Sequence, residues 1–346
     1  MVRSARLLAG LAGLAGLAGA AGAAGGCATF EDPTIVLDLR VVGMTAEPPE
    51  QVVDIDLSGR EPPSPAALLA QLAPTRVCAY VADPGAAREL SWSMTACLPS
   101  DDLRCDPALP QVVLAEARLG DPEVVPDGGR ACALIEYDAA PADWIALFAA
   151  ALRRDPTRGL AGLDYAIEVR IGDPAAPVGA DVFGVKQARV SARLPATKVA
   201  NHNPVVADLQ LSVNQVRGES APRRRCAWRG GDDDFVVRSG VRVTLFPVEP
   251  GQGTDEPARE EFTVPTLDGG FETFTEILTY QWLAGAGAFQ DPITGGPPDI
   301  FGNETLLGTD WTAPRVSAPT DVPIWLIQRD ARYGASVTET CIRVEP

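Results

Sequence analysis

Along this chain, apolar and polar residues alternate in short runs bounded by Pro, Gly or Asp, the pattern of half-buried β-strands. The first run spans residues 34–42 and stops ahead of Pro48-Pro49; others span 76–81, 90–94, 131–137, 165–171 and 185–194. Two stretches have helical spacing instead. Ser64-Pro65 reads as an N-cap followed by Pro at N1 and opens a helix to about Leu72. Residues 140–154 predict a longer helix, with Pro141 near its start, Trp144, Phe148, Ala151 and Leu152 on one face, and Arg153-Arg154 at the end where cations complement the dipole. Its aromatic stripe reads as core contact, a helix closing one end of a sandwich. After Asn201-His202-Asn203-Pro204, strands are predicted over 205–213, 236–246, 260–264, 275–283, 322–328 and 336–344, with long polar loops at 249–258 and 285–302. The expected fold class is mainly β: two antiparallel β-sandwiches joined near residues 195–204, with a short helical insertion in the first.

Composition agrees with this reading. The 346 residues are 46% hydrophobic, enough for real cores, and 33 Gly with 31 Pro suit a turn-rich β protein better than a helical bundle. Charge narrows the partners. With 29 Lys+Arg against 46 Asp+Glu the formal net charge is -17. Phosphate-backbone binding and attachment to anionic lipid through a basic patch both require the opposite sign, so no nucleic-acid partner is expected. The tight basic run Arg223-Arg224-Arg225 lies close to Asp232-Asp233-Asp234 and reads as a solvated loop with internal compensation.

The N-terminus reads as an address. Arg3 and Arg6 precede an apolar stretch built on a repeated Leu-Ala-Gly triplet, too diluted by Gly for a transmembrane helix and suited to a secretory signal. It ends in Ala24-Gly25-Gly26-Cys27, which resembles the lipobox of bacterial lipoproteins, with Ala24 where Leu is usual. That resemblance implies cleavage before Cys27, lipidation of its thiol and a membrane partner through the lipid anchor. With no Asp directly after the Cys, it implies the outer membrane. Residues 1–26 are then the signal peptide, 27–33 a lipidated tether, 34–197 the first sandwich and 198–346 the second. A tether of that length keeps the first sandwich within ~25 Å of the lipid.

Seven cysteines is an odd number for an exported chain, and a lipidated Cys27 accounts for the odd one. The other six, Cys78, Cys97, Cys105, Cys132, Cys226 and Cys341, admit many connectivities, and an oxidising compartment favours disulfides among them. Cys97 and Cys105 are close enough in sequence to staple one loop. That leaves Cys78 and Cys132 in the first sandwich and Cys226 and Cys341 in the second. The absence of CxxC spacing and the single His speak against zinc.

Cys78, then Trp92, then Tyr165-Ala166-Ile167 resembles the strand B Cys, strand C Trp and strand F Tyr of immunoglobulin-like domains. Trp282 in Tyr280-Gln281-Trp282 and the Ile324-Trp325-Leu326 run repeat the theme. No Cys follows Tyr165 by two residues, so the inter-sheet bridge of antibody domains is not expected. The chain is also similar to a group of poorly characterised lipoproteins of myxobacteria and related soil bacteria. The matching pieces are Leu37-Asp38-Leu39-Arg40-Val41, Ala46-Glu47-Pro48-Pro49-Glu50, the Asn-His-Asn-Pro turn, Trp311-Thr312-Ala313-Pro314, and residues 325–334 with Arg329-Asp330. The resemblance implies an envelope location and two immunoglobulin-like sandwiches, and brings no activity with it.

Catalytic signatures are sparse. His202 is the sole imidazole for a Ser-His-Asp or Cys-His site, and between two Asn and before Pro204 it reads as a hydrogen-bonding turn residue. The acids present no preferred pair for glycoside hydrolysis, and no phosphate-cradling Gly motif is present. Neither a catalytic residue nor a cofactor is expected. Asp232 and Asp234 are candidates for Ca²⁺, but consecutive Asp residues cannot all face one ion and no EF-hand spacing surrounds them, so no metal is expected. Trp228, beside the Arg run, is the candidate ligand-binding residue, a face for sugar stacking; Trp311 and Trp325 lie in β-like runs and read as core of the second sandwich. The resulting expectation is a non-enzymatic cell-envelope lipoprotein presenting sandwich loops for recognition or adhesion, with an envelope protein or a glycan as partner. The alternative is a periplasmic carbohydrate-binding or enzyme-accessory lipoprotein. Cys27→Ser is expected to move the protein from the membrane to the soluble fraction on cell fractionation, and retention with the membrane would refute the anchor.

Overall fold

The computed structural model describes residues 32–55, 64–84, 89–118, 129–157, 159, 161–177, 179–213, 218–221, 226, 235–250, 259–266 and 268–346. The first half contains strands β1 (Arg40–Glu47), β2 (Glu50–Val53), β3 (Thr75–Ala82), β4 (Ser91–Cys97), β5 (Val112–Arg118), β6 (Arg130–Ile135), β7 (Leu163–Gly172) and β8 (Val182–Ala192). Helix α1 (Pro65–Leu69) lies between β2 and β3, and α2 (Pro141–Arg154) between β6 and β7. Among the described residues these strands form two sheets, in the orders β1-β3-β6 and β2-β8-β7-β4-β5, over one shared core. The second half contains β9 (Asp208–Val213), β10 (Glu219–Ser220), β11 (Phe235–Arg238), β12 (Arg242–Val248), β13 (Glu261–Pro265), β14 (Phe271–Thr275), β15 (Thr279–Ala284), β16 (Ala288–Phe289), β17 (Ile293–Gly295), β18 (Thr309–Thr312), β19 (Thr320–Arg329) and β20 (Ala335–Glu345). Its sheets run β10-β9-β12-β18-β16 and β11-β20-β19-β15-β17, with β13–β14 as a separate hairpin.

The two halves repeat one topology. With β10, β16 and the β13–β14 hairpin set aside, β9-β12-β18 matches β1-β3-β6, and β11-β20-β19-β15-β17 matches β2-β8-β7-β4-β5. The protein is thus mainly β, built as two immunoglobulin-like sandwiches. The expectation of wholly antiparallel sheets needs one correction, because β2 pairs parallel with β8 and β11 pairs parallel with β20. In the first half the reason is visible at Pro48-Pro49. The chain leaves β1, crosses to the other sheet without a hairpin reversal, and so meets β8 running the same way. Cys78, Trp92 and Tyr165 fall on β3, β4 and β7, the strand positions implied by the immunoglobulin resemblance.

In the first core, Trp144 of α2 packs against Tyr137, Phe148 and Tyr165 with ring centroids 4.8, 5.5 and 5.8 Å apart. The buried face of α2 is Trp144, Leu147, Ala150 and Ala151. Leu152, expected on that face, is 43% exposed, since eight residues on from Trp144 the stripe has rotated toward its edge. Trp282 and Trp311 fill the second core, as expected of Trp311. Trp325 is corrected to a third cluster between the sandwiches, with Val36, Val42, Ala82, Leu283 and Ile327.

Three strand boundaries also shift for physical reasons. Residues 34–36 do not belong to β1: Val36 N–H donates to Ala284 O at 2.8 Å and Ala284 N–H to Thr34 O at 3.0 Å, which lays this segment along β15 of the other sandwich. Alternation reports which residues are half buried and says nothing about which sheet buries them. The predicted run 236–246 is cut at Gly240, whose φ of 75° turns β11 into β12 of the opposite sheet. The long loop predicted at 285–302 carries β16 and β17.

Gly43 sets how closely the sandwiches approach. A Cβ there would stand 2.8 Å from Val337 Cγ2 and 3.3 Å from Ile327 Cγ1 across the joint. Gly43→Val is therefore expected to destabilise the fold by about 1–3 kcal/mol through overpacking, read as a lower urea midpoint.

Candidate functional site

The segment Asn201-His202-Asn203 between the sandwiches is a hub of polar contacts. Asn201 is fully buried; its N–H donates to Glu50 Oε2 at 2.9 Å, and its Nδ2 to Asp330 Oδ2 at 2.9 Å and to the Arg332 carbonyl at 3.0 Å. Asn203 Nδ2 donates to Ala46 O at 2.7 Å and Glu47 Oε2 at 2.6 Å, while its Oδ1 accepts from the Ala335 N–H at 2.9 Å. The two amides thus tie the end of β1 to the β19–β20 turn. Glu50, only 4% exposed, accepts from Ser191 Oγ and lies 3.0 Å from Lys198 Nζ. Burial pushes its carboxyl up, but the Ser191 hydroxyl, the Lys198 ammonium and the Asn201 N–H outweigh burial and hold it below the usual range. His202 Nδ1 lies 2.8 Å from Glu260 Oε1.

Arg332 closes the hub on its acidic side. It bonds Glu260, lies 3.7 Å from Glu276 Oε1 and covers the Phe262 ring at 4.4 Å. Glu276 Oε1 is buried without a hydrogen bond. Burial first, then the nearby Asp330 and Glu260, push the Glu276 carboxyl up to about 7, and Arg332 offsets only part of this.

A second polar site lies on the outer face of the first sandwich. The β4–β5 loop folds back as a rim stapled by Cys97–Cys105, with Pro99 and Cys105 bridging and Leu103 at φ 64°, a left-handed conformation that few non-glycine residues hold. The rim presents Arg104 to Glu168: Nε to Oε2 at 2.9 Å and Nη2 to Oε1 at 3.3 Å, while the Cys105 N–H donates to Glu168 Oε2 at 2.8 Å. The Arg104 guanidinium stacks on Phe183 at 3.2 Å, and Arg170 approaches the same ring at 5.1 Å. A cleft of about 360 Å³ opens there, lined by Ser93, Thr95, Arg104, Gln111, Glu168 and Arg170 among others.

A third feature is a displayed apolar turn between β17 and β18. Asp299 Oδ1 accepts from the Phe301 and Asn303 N–H groups at 2.8 and 2.9 Å, and Asn303 Nδ2 donates to Oδ2 at 2.9 Å. Those bonds, the Asn303 side chain first, hold the Asp299 carboxyl below its ordinary range. The stem is closed by Gly295 N–H donating to Leu306 O at 2.8 Å. The clamp presents Ile300 at 93%, Phe301 at 82% and Leu306 at 78% exposure. By contrast, the apolar cavity of about 320 Å³ under the helices, lined by Val53, Leu68, Leu72, Ile145, Phe148 and Leu163 among others, offers little polar chemistry, because its Ser191 hydroxyl is committed to Glu50.

Of the residues singled out from sequence, Cys27, Trp228, Asp232 and Asp234 lie outside the described residues, as does the Arg223–Arg225 run. The remaining cysteines pair as Cys78–Cys132, Cys97–Cys105 and Cys226–Cys341, with Sγ–Sγ distances of 2.12, 2.06 and 2.06 Å. Cys78 and Cys132 are direct neighbours on β3 and β6, so this bridge stays within one sheet. Sequence reading passed over Arg104, Arg170, Ile300 and Phe301. The short Cys97–Cys105 spacing marked the rim of the cleft, and Pro298-Asp299 ahead of Gly302 marked the turn, but neither signal says which side chains it presents.

No protein-family model matches the sequence, and no curated protein does. Solved structures that align with it include a transglutaminase of red sea bream, at 9% identity and a TM-score of 0.22 over 90% of this chain. Alpha-2-macroglobulin of Escherichia coli aligns in its native and trypsin-activated forms, each at 10% identity and a TM-score of 0.21 over 91% of this chain. This chain spans 32% of the transglutaminase and 17% and 18% of the macroglobulin chains, and likenesses at such scores carry nothing about activity. No helix among the described residues is long and apolar enough to cross a membrane.

The raised Glu276 carboxyl gives a signed prediction. Its folded pKa of about 7 lies above the unfolded value of 4.5, so its contribution to stability is fully present below the unfolded value and is lost as pH rises through 7. Glu276→Gln is expected to match the parent near pH 5 and to exceed it by about 1–3 kcal/mol at pH 8 in urea denaturation.

Proposed function

We propose that the protein is a non-enzymatic cell-envelope lipoprotein, held at the outer membrane by lipid on Cys27. In this reading it recognises an envelope protein through the Ile300–Phe301 loop of a rigid double sandwich. The observation that carries this reading is the clamped loop itself. Neighbouring large apolar side chains held out in solvent by a built turn mark an interaction surface, and rigid sheets position such loops for recognition. A convex tip suits insertion into an apolar pocket on the partner, where two such side chains contribute roughly 3–6 kcal/mol before the entropic costs of association.

The loop and the N-terminal entry lie at different ends of β15. Residues 34–36 join the body at the Ala284 end of β15, whereas the loop springs from Gly295, paired with Thr279 at the other end of that strand. The separation along β15 is about 17 Å at ~3.3 Å per residue.

The purified full chain, added to envelopes from cells lacking it, is expected to be retained. Ile300→Asp combined with Phe301→Asp is expected to cut retention at least tenfold without lowering Tm, since both sites are exposed. Unchanged retention in the double variant would refute the role of the loop. Protease added to intact cells is expected to digest the protein; protection until the outer membrane is opened would replace surface display with a periplasmic role.

A further inference from the structure

We propose that the cleft rimmed by Cys97–Cys105 binds an acidic sugar, a hexuronate unit of an anionic polysaccharide, with Arg170 taking the carboxylate. This site is on the other sandwich from the Ile300–Phe301 loop and stands independently of the reading given to that loop.

The charge arrangement comes first. In a chain of net charge -17, two guanidinium groups converge on the Phe183 ring. Arg104 is consumed by its paired bonds to Glu168. Arg170 is not: its side chain is 54% exposed, and its nearest carboxylate contact, Asp181 Oδ2, lies at 3.9 Å, beyond hydrogen-bond reach. Its planar fork has donors to spare, and a fork of that shape matches a carboxylate in paired geometry. The long-range repulsion from the acidic body reaches only about 8 Å at physiological salt, so binding is set by the local groups, the Arg170 guanidinium against the nearby Asp181 carboxylate.

Ring hydroxyls are what the rest of the cleft suits. Ser93 is the register partner of Arg170 across β4 and β7, and Thr95 the partner of Glu168, so both hydroxyls stand in line with the charged pair. Gln111 adds an amide at the rim. Six of the eight lining residues carry polar or charged side chains, the others being Cys105 and Pro107. A volume of about 360 Å³ lies at the small end of the ~300–1,000 Å³ typical of ligand sites, which is room for a single sugar ring. The rim is pre-ordered by the disulfide, by the Ser100 N–H and hydroxyl both donating to Arg104 O at 2.8 Å, and by the Cys105 N–H on Glu168, so little ordering entropy is lost on binding.

The test is a calorimetric and NMR titration of the full chain with sodium glucuronate, glucose and sodium acetate. Saturable glucuronate binding is expected, with glucose and acetate each at least tenfold weaker. Arg170→Ala is expected to weaken glucuronate at least tenfold with an unchanged near-UV circular dichroism spectrum, and Arg170→Lys to restore part of the loss. Ser93→Ala with Thr95→Val is expected to weaken glucuronate and leave acetate unchanged. Absence of glucuronate binding, equal binding of glucose, or unchanged affinity in a folded Arg170→Ala variant would overturn the proposal. Acetate binding as tightly as glucuronate would overturn the sugar assignment, and this comparison on the parent protein decides the matter even if a variant fails to fold.

Discussion

Glu50 and Asn201 sit where water is excluded, and each satisfies the other: the Asn201 N–H meets one Glu50 oxygen while Ser191 and Lys198 meet the other. Removing one partner from such a buried charged set leaves the rest unpaired, at about 3–5 kcal/mol. The partners come from β2, β8, the linker and, through Asn201 Nδ2, the β19–β20 turn. That makes the set directional. The apolar cluster of Val36, Val42, Trp325 and Ile327 draws the sandwiches together but is indifferent to angle, because burial of apolar surface has no preferred direction. The hydrogen bonds of Asn201 and Asn203 choose the orientation in which that cluster closes, and the close approach at Gly43 is possible only there.

On this joint the chain hangs the same sandwich twice, and the differences lie in the connections. The first sandwich carries its elaboration between β4 and β5, where a disulfide and a left-handed Leu103 hold Arg104 over Phe183. The second carries a hairpin, β13–β14, and the Asp299-clamped turn. A two-stranded hairpin is marginal alone. Its two strands are joined by the Phe262–Phe274 stack at 5.8 Å, and Arg332 over Phe262 ties it back to the hub.

Charge is allotted in a way the net value conceals. Several cations are spent at internal junctions: Arg189 on Asp164 at 2.6 Å, Arg259 on the buried Glu249 at 3.1 Å, and Lys186 on the Tyr333 carbonyl, where burial lowers its ammonium to about 8. Glu249 in turn accepts from the Tyr280 hydroxyl, whose own proton is held more tightly through burial and that carboxylate. Arg170 is held more loosely than these cations, with Asp181 at 3.9 Å and the Phe183 ring at 5.1 Å.

The sequence by itself determined the β class, most of the longer strands, the helix that closes the first core and the short Cys97–Cys105 staple, because alternation, helical spacing and close cysteine spacing act locally; the bridges Cys78–Cys132 and Cys226–Cys341, 54 and 115 positions apart, were decided by the fold. Trp144 and Trp311 were readable as core for the same reason, whereas Trp92 and Trp282 stood out through their resemblance to the tryptophans of immunoglobulin-like strands. Tertiary structure alone decided that residues 34–36 serve the second sandwich, that Trp325 fills the joint, and that Asn201 is buried while His202 faces Glu260. It alone aligned Ser93 with Arg170 and Arg104 with Glu168, residues 77 and 64 positions apart in sequence. Those contacts depend on strand order and sheet register, and a period of two records only that a residue is covered, never by what.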